Sequence, residues 1–442
     1  LRWFYRLLYK FVNMAASYRI KLIRCESGER LPLLLNQGTG LPLWDPTLFI
    51  LTELRATNRA SATLSQATRA IMVGHQIFEY LNVDLNERLS QGRLLDLGEI
   101  DTLAQYAGLT QTALDSLFED RQKSEIASPR IVSLERARMG SSVKKPPKVA
   151  AGTKAIRLMY IRDYIAWLVA SRLLKSNVSS DQHRVLSATA QLVIGRLDAR
   201  IPSSEHKDDA NRRQGVSAGV RARILEVIDP NCPENPWKNK HVRLRNQLIF
   251  LWLLLLGLRN GELLGVRVSD INFRASEVII VRRPDDPTET RKNAPNVKTK
   301  GRLLALSPEM TELTRNSVMG LRATIKGGRR HPFLIVATGT GKALTKSALN
   351  KLFRELRTKV AGLQSDLSPH VLRHTWNDDF SELMDARAVS AEDEERMRKQ
   401  AMGWSDSSKM AAYYTKRHVQ RKSNEASLAM QATSFKRAKE KD

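Results

Sequence analysis

Residues 368–375 read Ser-Pro-His-Val-Leu-Arg-His-Thr, and two of them have the types and spacing to handle a phosphate together. Ser-Pro is a helix-start signal, with proline preset for the first turn. On the helix that follows, His370 and Arg373 stand three residues apart and share a face. An imidazole exchanges protons near neutral pH, and a guanidinium offers a planar pair of charged donors. Such a pair grips one phosphate. Taken alone, the pattern is weak and fits an exposed basic helix turn better.

Two distant segments change the weighting. Residues 253–266 run Leu-Leu-Leu-Leu-Gly-Leu-Arg-Asn-Gly-Glu-Leu-Leu-Gly-Val, an apolar helix that stops at Gly257 with Arg259 just beyond it. Residues 402–406 are Met-Gly-Trp-Ser-Asp, and 409–415 are Lys-Met-Ala-Ala-Tyr-Tyr-Thr. From about residue 237 to 418 the chain resembles the tyrosine recombinases of the phage integrase family. An arginine, a His-x-x-Arg pair and a tyrosine after Gly-Trp occur in that family's order.

The resemblance implies a metal-free break of a DNA phosphodiester through a covalent 3′-phosphotyrosyl intermediate. Arg259 and Arg373 would clamp the two non-bridging oxygens, and His370 would manage the proton. Trp404 stands where most members carry a second histidine; its indole N–H can donate but cannot move a proton. A hairpin lysine would protonate the leaving 5′ oxygen. Lys298 matches best, with Lys300 as the alternative. The nucleophile is Tyr413 counted from Gly-Trp, or Tyr414 counted from Lys-Met and Thr415. Helical phase fixes the second interval and an extra loop residue costs little, which selects Tyr414. Glu262 and Asp270 are expected to orient Arg259 or cap a helix. No cofactor is implied.

Two patterns compete for attention. His370 and His374 have the spacing of a zinc helix but lack the intervening Glu and an evident third ligand. Residues 338–343, Thr-Gly-Thr-Gly-Lys-Ala, resemble a phosphate loop without its leading glycine and with alanine in place of Ser/Thr.

Across the 442 residues, 72 Lys+Arg stand against 46 Asp+Glu, a net charge of +26. That excess repels itself and calls for a polyanion. Cys25 and Cys232 have no metal spacing and read as reduced and incidental. The longest apolar run, 248–258, is a core helix, too short to cross a bilayer, and no secretory signal is evident in residues 1–14. The chain starts without Met, and Met14 is expected to lie close to the natural start.

The elements that must position these residues form a mainly α chain with a small antiparallel β-hairpin or sheet, a two-domain tyrosine recombinase architecture. Residues 1–48 read as a partly β lead-in, with strand-like pieces at 18–24 and 30–35. Residues 49–205 read as a mainly helical bundle, with helical periodicity over 52–81, 96–117, 155–174 and 180–197, and the resemblance implies that it is the core-binding domain. Its basic segment 137–154, together with Arg136, favours DNA through Arg136, Arg138, Lys144, Lys145 and Lys148. Residues 206–239 read as an inter-domain linker, ending in a Pro/Asn-dense stretch that forbids long helix. Residues 240–433 form the catalytic domain, with strands at 278–281 and 303–306. Residues 434–442 read as a charged tail.

The expectation is a site-specific DNA recombinase of a mobile element. It would act on double-stranded DNA as a homo-tetramer, or a hetero-assembly with related recombinases, in the bacterial cytoplasm at the nucleoid. Two rivals keep the fold: a type IB topoisomerase-like relaxing enzyme, and a non-catalytic DNA-binding accessory protein.

Overall fold

A short antiparallel hairpin leads the chain. β1 (Tyr18–Arg24) pairs with β2 (Arg30–Asn36), Tyr18 lying opposite Asn36 and Arg24 opposite Arg30. The computed structural model describes residues 17–126, 146–174, 179–203, 214–295 and 299–439. The chain divides into two units, residues 1–208 and 209–442. Of the residues singled out from sequence, Met14, Arg136, Arg138, Lys144, Lys145 and Lys298 lie outside the described residues.

In the first unit, β2 buries Arg30, Pro32 and Leu34 at alternate positions, as a strand's period of two requires, and Leu35 on the opposite face is covered as well. Helices α1 (Trp44–Phe49), α2 (Ser61–Tyr80), α3 (Leu85–Ser90), α4 (Leu97–Tyr106), α5 (Gln111–Ile126), α6 (Ala151–Leu173) and α7 (Ser180–Asp198) follow. The central pair is α2 with α6. Ile71 and Ile77 share one core with Ile161, Tyr164 and Leu168, and a side chain on Gly74 would press on Ile161 at 3.1 Å. Two expected long helices are broken. A π turn at Ile50–Arg55 ends near Asn58, which sits at φ 54°. Residues 107–110 separate α4 from α5, and Asp96 with Glu99 forms a capping box at the start of α4.

The second unit is built around α9 (Lys240–Leu255). Leu248, Ile249, Phe250, Trp252, Leu253 and Leu254 are all buried, Leu251 is half-buried and Leu255 is exposed, so most of the C-terminal half of α9 is covered, as its apolar run requires. Burying each such side chain is worth about 1.5–3 kcal/mol, and the Trp252 indole also donates to Thr314 Oγ1 at 3.1 Å. Residues 214–239, expected as linker, instead contribute to this core. Ser217 caps α8 (Ala218–Val227), which buries Ile224 and Val227, and Trp237 packs on Phe250.

After α10 (Asn260–Gly265) comes a three-stranded antiparallel sheet of β3 (Ile271–Asn272), β4 (Glu277–Ile280) and β5 (Arg302–Ala305). Val278 faces Leu304 and Ile280 faces Arg302. α11 (Pro308–Asn316), α12 (Lys346–Lys359), α13 (Pro369–Ala386) and α14 (Ala391–Met402) complete the unit, and α15 (Met410–Lys439) closes the chain. α15 runs through most of the residues expected as a charged tail. Among the described residues, no helix is long and apolar enough to cross a membrane.

Candidate active site

The site begins where α9 stops. Gly257 sits at φ +59°, and a Cβ there would meet Trp376 at 2.8 Å and Met402 at 2.9 Å. Glycine is therefore the residue that makes this turn without strain. Its carbonyl accepts from Arg373 Nη1 at 2.6 Å. Two residues on, Arg259 is the N-cap of α10. Glu262 closes the first turn, accepting the Arg259 backbone N–H at 3.0 Å and its Nη1 at 3.2 Å.

Glu262 does more than orient Arg259. It is 1% exposed and also takes two donors from Arg302, at 2.9 and 3.3 Å, and the Thr299 hydroxyl at 2.6 Å. Arg373 stands 3.8 Å away. Burial alone would raise its pKa, but Arg302, then Arg373 and Thr299, outweigh it and hold the carboxyl down to about 2. One carboxylate thus serves three guanidinium groups.

Arg373 lies on α13 and is 2% exposed. Its second anchor is the Met402 carbonyl, 3.3 Å from Nη2, and the Trp404 ring centre lies 5.5 Å from its guanidinium carbon. Burial first, and then repulsion from Arg259, lower its pKa to about 9, which leaves it charged at neutral pH. The start of β5 is laced to the end of α14: the Lys300 N–H donates to Gly403 at 3.0 Å and Arg302 Nε to Ala401 at 2.7 Å. That lacing sets Trp404 in place. Its ring stacks on Tyr414 at 5.8 Å and 8°, and its buried indole N–H has no hydrogen-bond partner among the described residues.

Tyr414 comes from α15 and is nearly covered. Its hydroxyl lies 2.7 Å from His374 Nδ1. Burial pushes the phenol up to about 12, while Arg373, Arg398 and Arg259 pull the other way. Arg398 reaches the same ring from α14, 5.7 Å from its centre, and is itself held by Asn377, Ser381 and Glu394. Tyr413 packs edge-on against Tyr414, ring centres 5.3 Å apart. His370 is exposed, its ring 4.4 Å from that of His374. The extended segment 214–217 lies across α13: the Gly215 N–H donates to Asp378 at 3.2 Å and the Val216 N–H to Thr375 at 3.0 Å. A Cβ on Gly215 would sit 2.7 Å from Thr375 Cα.

Of the residues singled out from sequence, Arg259, Arg373, Trp404 and Tyr414 are thus joined by one network, with His370 beside it. Lys298 lies outside the described residues. Its alternative, Lys300, forms an exposed ion pair with Asp406 at 3.1 Å. Ser368 starts α13 as expected, but its hydroxyl makes no capping bond. Three members went unrecognised. Arg302 occupies an inward strand position, where alternation calls for an apolar residue. Arg398 sits in an otherwise charged helix, and its burial has no sequence signal. His374 enters the sequence reading only through a zinc-helix spacing that lacks its other ligands, although its i+4 relation to His370 already places it on the same stripe.

Residues 231–421 match the phage integrase family. No curated protein matches the chain. Among solved structures, the chain is similar to XerA recombinase at 18% identity, covering 70% of this chain and 96% of that one, with a TM-score of 0.35. It is also similar to the Tn1549 transposon integrase in complex with a circular intermediate DNA (14% identity, 78% and 94% covered, TM-score 0.41). A third similarity is to XerH site-specific recombinase bound to difH substrate (15% identity, 79% and 93% covered, TM-score 0.38). Residues 231–421, which fall wholly within the second unit, are a phage integrase family domain.

Proposed function

We propose that this protein is a site-specific DNA recombinase that cuts and rejoins strands through a covalent 3′-phosphotyrosyl intermediate on Tyr414. The observation that carries the reading is the network itself: three segments far apart in sequence bring two arginines, a free indole donor and a hydrogen-bonded tyrosine together. Two of Arg373's five N–H donors are spent on backbone carbonyls. The rest, with Arg259, suit the two non-bridging oxygens of a phosphate whose charge rises in the transition state. The Trp404 N–H is a further donor. A hairpin lysine, Lys298 before Lys300, protonates the leaving 5′ oxygen. His370 exchanges protons on the exposed side. The phosphotyrosyl ester keeps the bond energy, so rejoining needs no nucleotide cofactor.

The surface supports a polyanionic partner. Residues 322–351 contain no Asp or Glu. Lys326, Arg329, Arg330 and Lys342 are exposed there on turns joined by the His331 contact to the Gly341 carbonyl at 2.9 Å, and Lys346 is exposed at the start of α12. Replacing Lys326, Arg329 and Arg330 by Ala is expected to flatten the slope of log affinity against log salt by up to about 3, close to one unit per phosphate contact. Titrations at several salt concentrations measure this.

Strand exchange takes four protomers on two duplexes, half of them active at a time. Beyond Tyr414, α15 exposes Val419, Leu428 and Met430 at 59%, 63% and 72%, with Val419 and Met430 on one stripe and Leu428 on the other side of the helix, apolar surface suited to a neighbouring protomer. Deleting residues 420–442 is expected to weaken pairing of two sites more than binding to one; equal losses would sink that role.

The test of the whole reading is covalent trapping on a duplex carrying the target site, nicked so that the released fragment diffuses away. A protein–DNA band on a denaturing gel, formed without added metal, is the expected result. Tight binding with no band on a substrate that recombines in cells would favour an accessory DNA-binding role.

A further inference from the structure

The proton of the nucleophile already has an acceptor in this fold, and it is not the histidine of the His-x-x-Arg pair. We propose that His374 is the base that takes the Tyr414 proton on cleavage and returns it on rejoining. This rests on the recombinase reading above. Tyr414 Oη lies 2.7 Å from His374 Nδ1, within the reach that proton transfer needs. Accepting there requires the neutral Nε2–H tautomer.

The surroundings fit the task. His374 is buried, one helical turn beyond the exposed His370, whose ring stands 4.4 Å away. Trp404 covers the Tyr414 ring, so water does not compete freely for the hydroxyl. The charged groups around the phenol are Arg259, Arg373 and Arg398, and Tyr413 is its titratable neighbour on α15. Three positive charges favour the phenolate as it forms.

The step balances. Oη–H breaks as Nδ1–H forms, Oη bonds to phosphorus, and the P–O5′ bond breaks with its electron pair on the 5′ oxygen. That oxygen takes its proton from the hairpin lysine. In rejoining, the 5′ hydroxyl attacks phosphorus and returns its proton to the lysine, and the phenolate leaving phosphorus recovers its proton from His374.

The experiment compares the wild type with His374→Gln and His374→Ala on saturating nicked duplex, read as the rate of covalent band formation. A second duplex carries sulfur at the 5′ bridging position, whose departure needs no proton. Both variants are expected to bind DNA normally and to cleave about 10²–10⁴ times more slowly. The sulfur substrate should not restore them, because the defect lies on the nucleophile's side. Added imidazole should restore His374→Ala in part, with rates that track the basicity of substituted imidazoles.

Cleavage at the wild-type rate would overturn the proposal. So would full rescue by the sulfur substrate, which would make His374 the acid. A slow variant that no imidazole rescues, on either substrate, would mark a packing role and overturn it too. A wild type that never forms the band would sink the recombinase reading itself, before any variant is compared.

Discussion

A Tyr414→Phe protein is expected to fold, to bind its DNA site as tightly as the wild type, and to form no covalent complex. Removing one hydroxyl costs the 2.7 Å bond to His374 but leaves the ring between Trp404, Tyr413 and Arg398. The loss therefore falls on chemistry rather than packing. Deleting an enzyme's nucleophile costs on the order of 10⁶ in rate, well past the detection limit of a gel. Tyr413→Phe keeps the band on this reading, because Tyr413 is an edge-on neighbour of Tyr414 and the His374 contact belongs to Tyr414. A band lost in Tyr413→Phe and kept in Tyr414→Phe would move the nucleophile by one residue.

The second large effect is expected at Glu262, and it is one of stability. Glu262→Gln leaves Arg259, Arg302 and Arg373 without their shared counter-charge, and Arg302 and Arg373 are buried. Breaking a buried ion pair by removing one partner costs roughly 3–5 kcal/mol, a large share of what holds a domain together. The same carboxylate sets an acid limit. Its pKa is about 2 when folded against an ordinary 4.5, so the unfolded chain binds more protons in between. Its contribution is complete above about pH 5 and is lost as pH falls towards 2, about 3 kcal/mol in all. Denaturant unfolding of both proteins at pH 7 and pH 3 measures the effect. The wild type should lose more stability over that interval than Glu262→Gln, and equal losses would show that another group sets the acid limit.

How much of this was legible in the sequence depended on how each residue signals itself. Arg259, Arg373, Trp404 and Tyr414 could be named because their types, order and spacing carry the pattern directly. Glu262 could be linked to Arg259 as the third residue of a helix start. Its other partners could not be named, because Arg302 comes from a strand 40 residues away. No periodicity argument puts a buried arginine on β5. α8 was hidden for a different reason: its burial is paid for by α9 and Trp237, neither of which its polar, linker-like surroundings reveal. The break before α2 rests on Asn58 at positive φ, a conformation open to asparagine but not demanded by it.

The segment 214–217 has a mechanical consequence. The chain enters the second unit through two hydrogen bonds to Thr375 and Asp378, one and four residues past His374. With no room for a side chain at Gly215, this strap bears on the helix that holds His374 and Arg373. Tension applied to the chain ahead of residue 214 therefore meets α13 before it meets the core on α9. Pulled from that end, the domain would lose its site at a lower force than its fold.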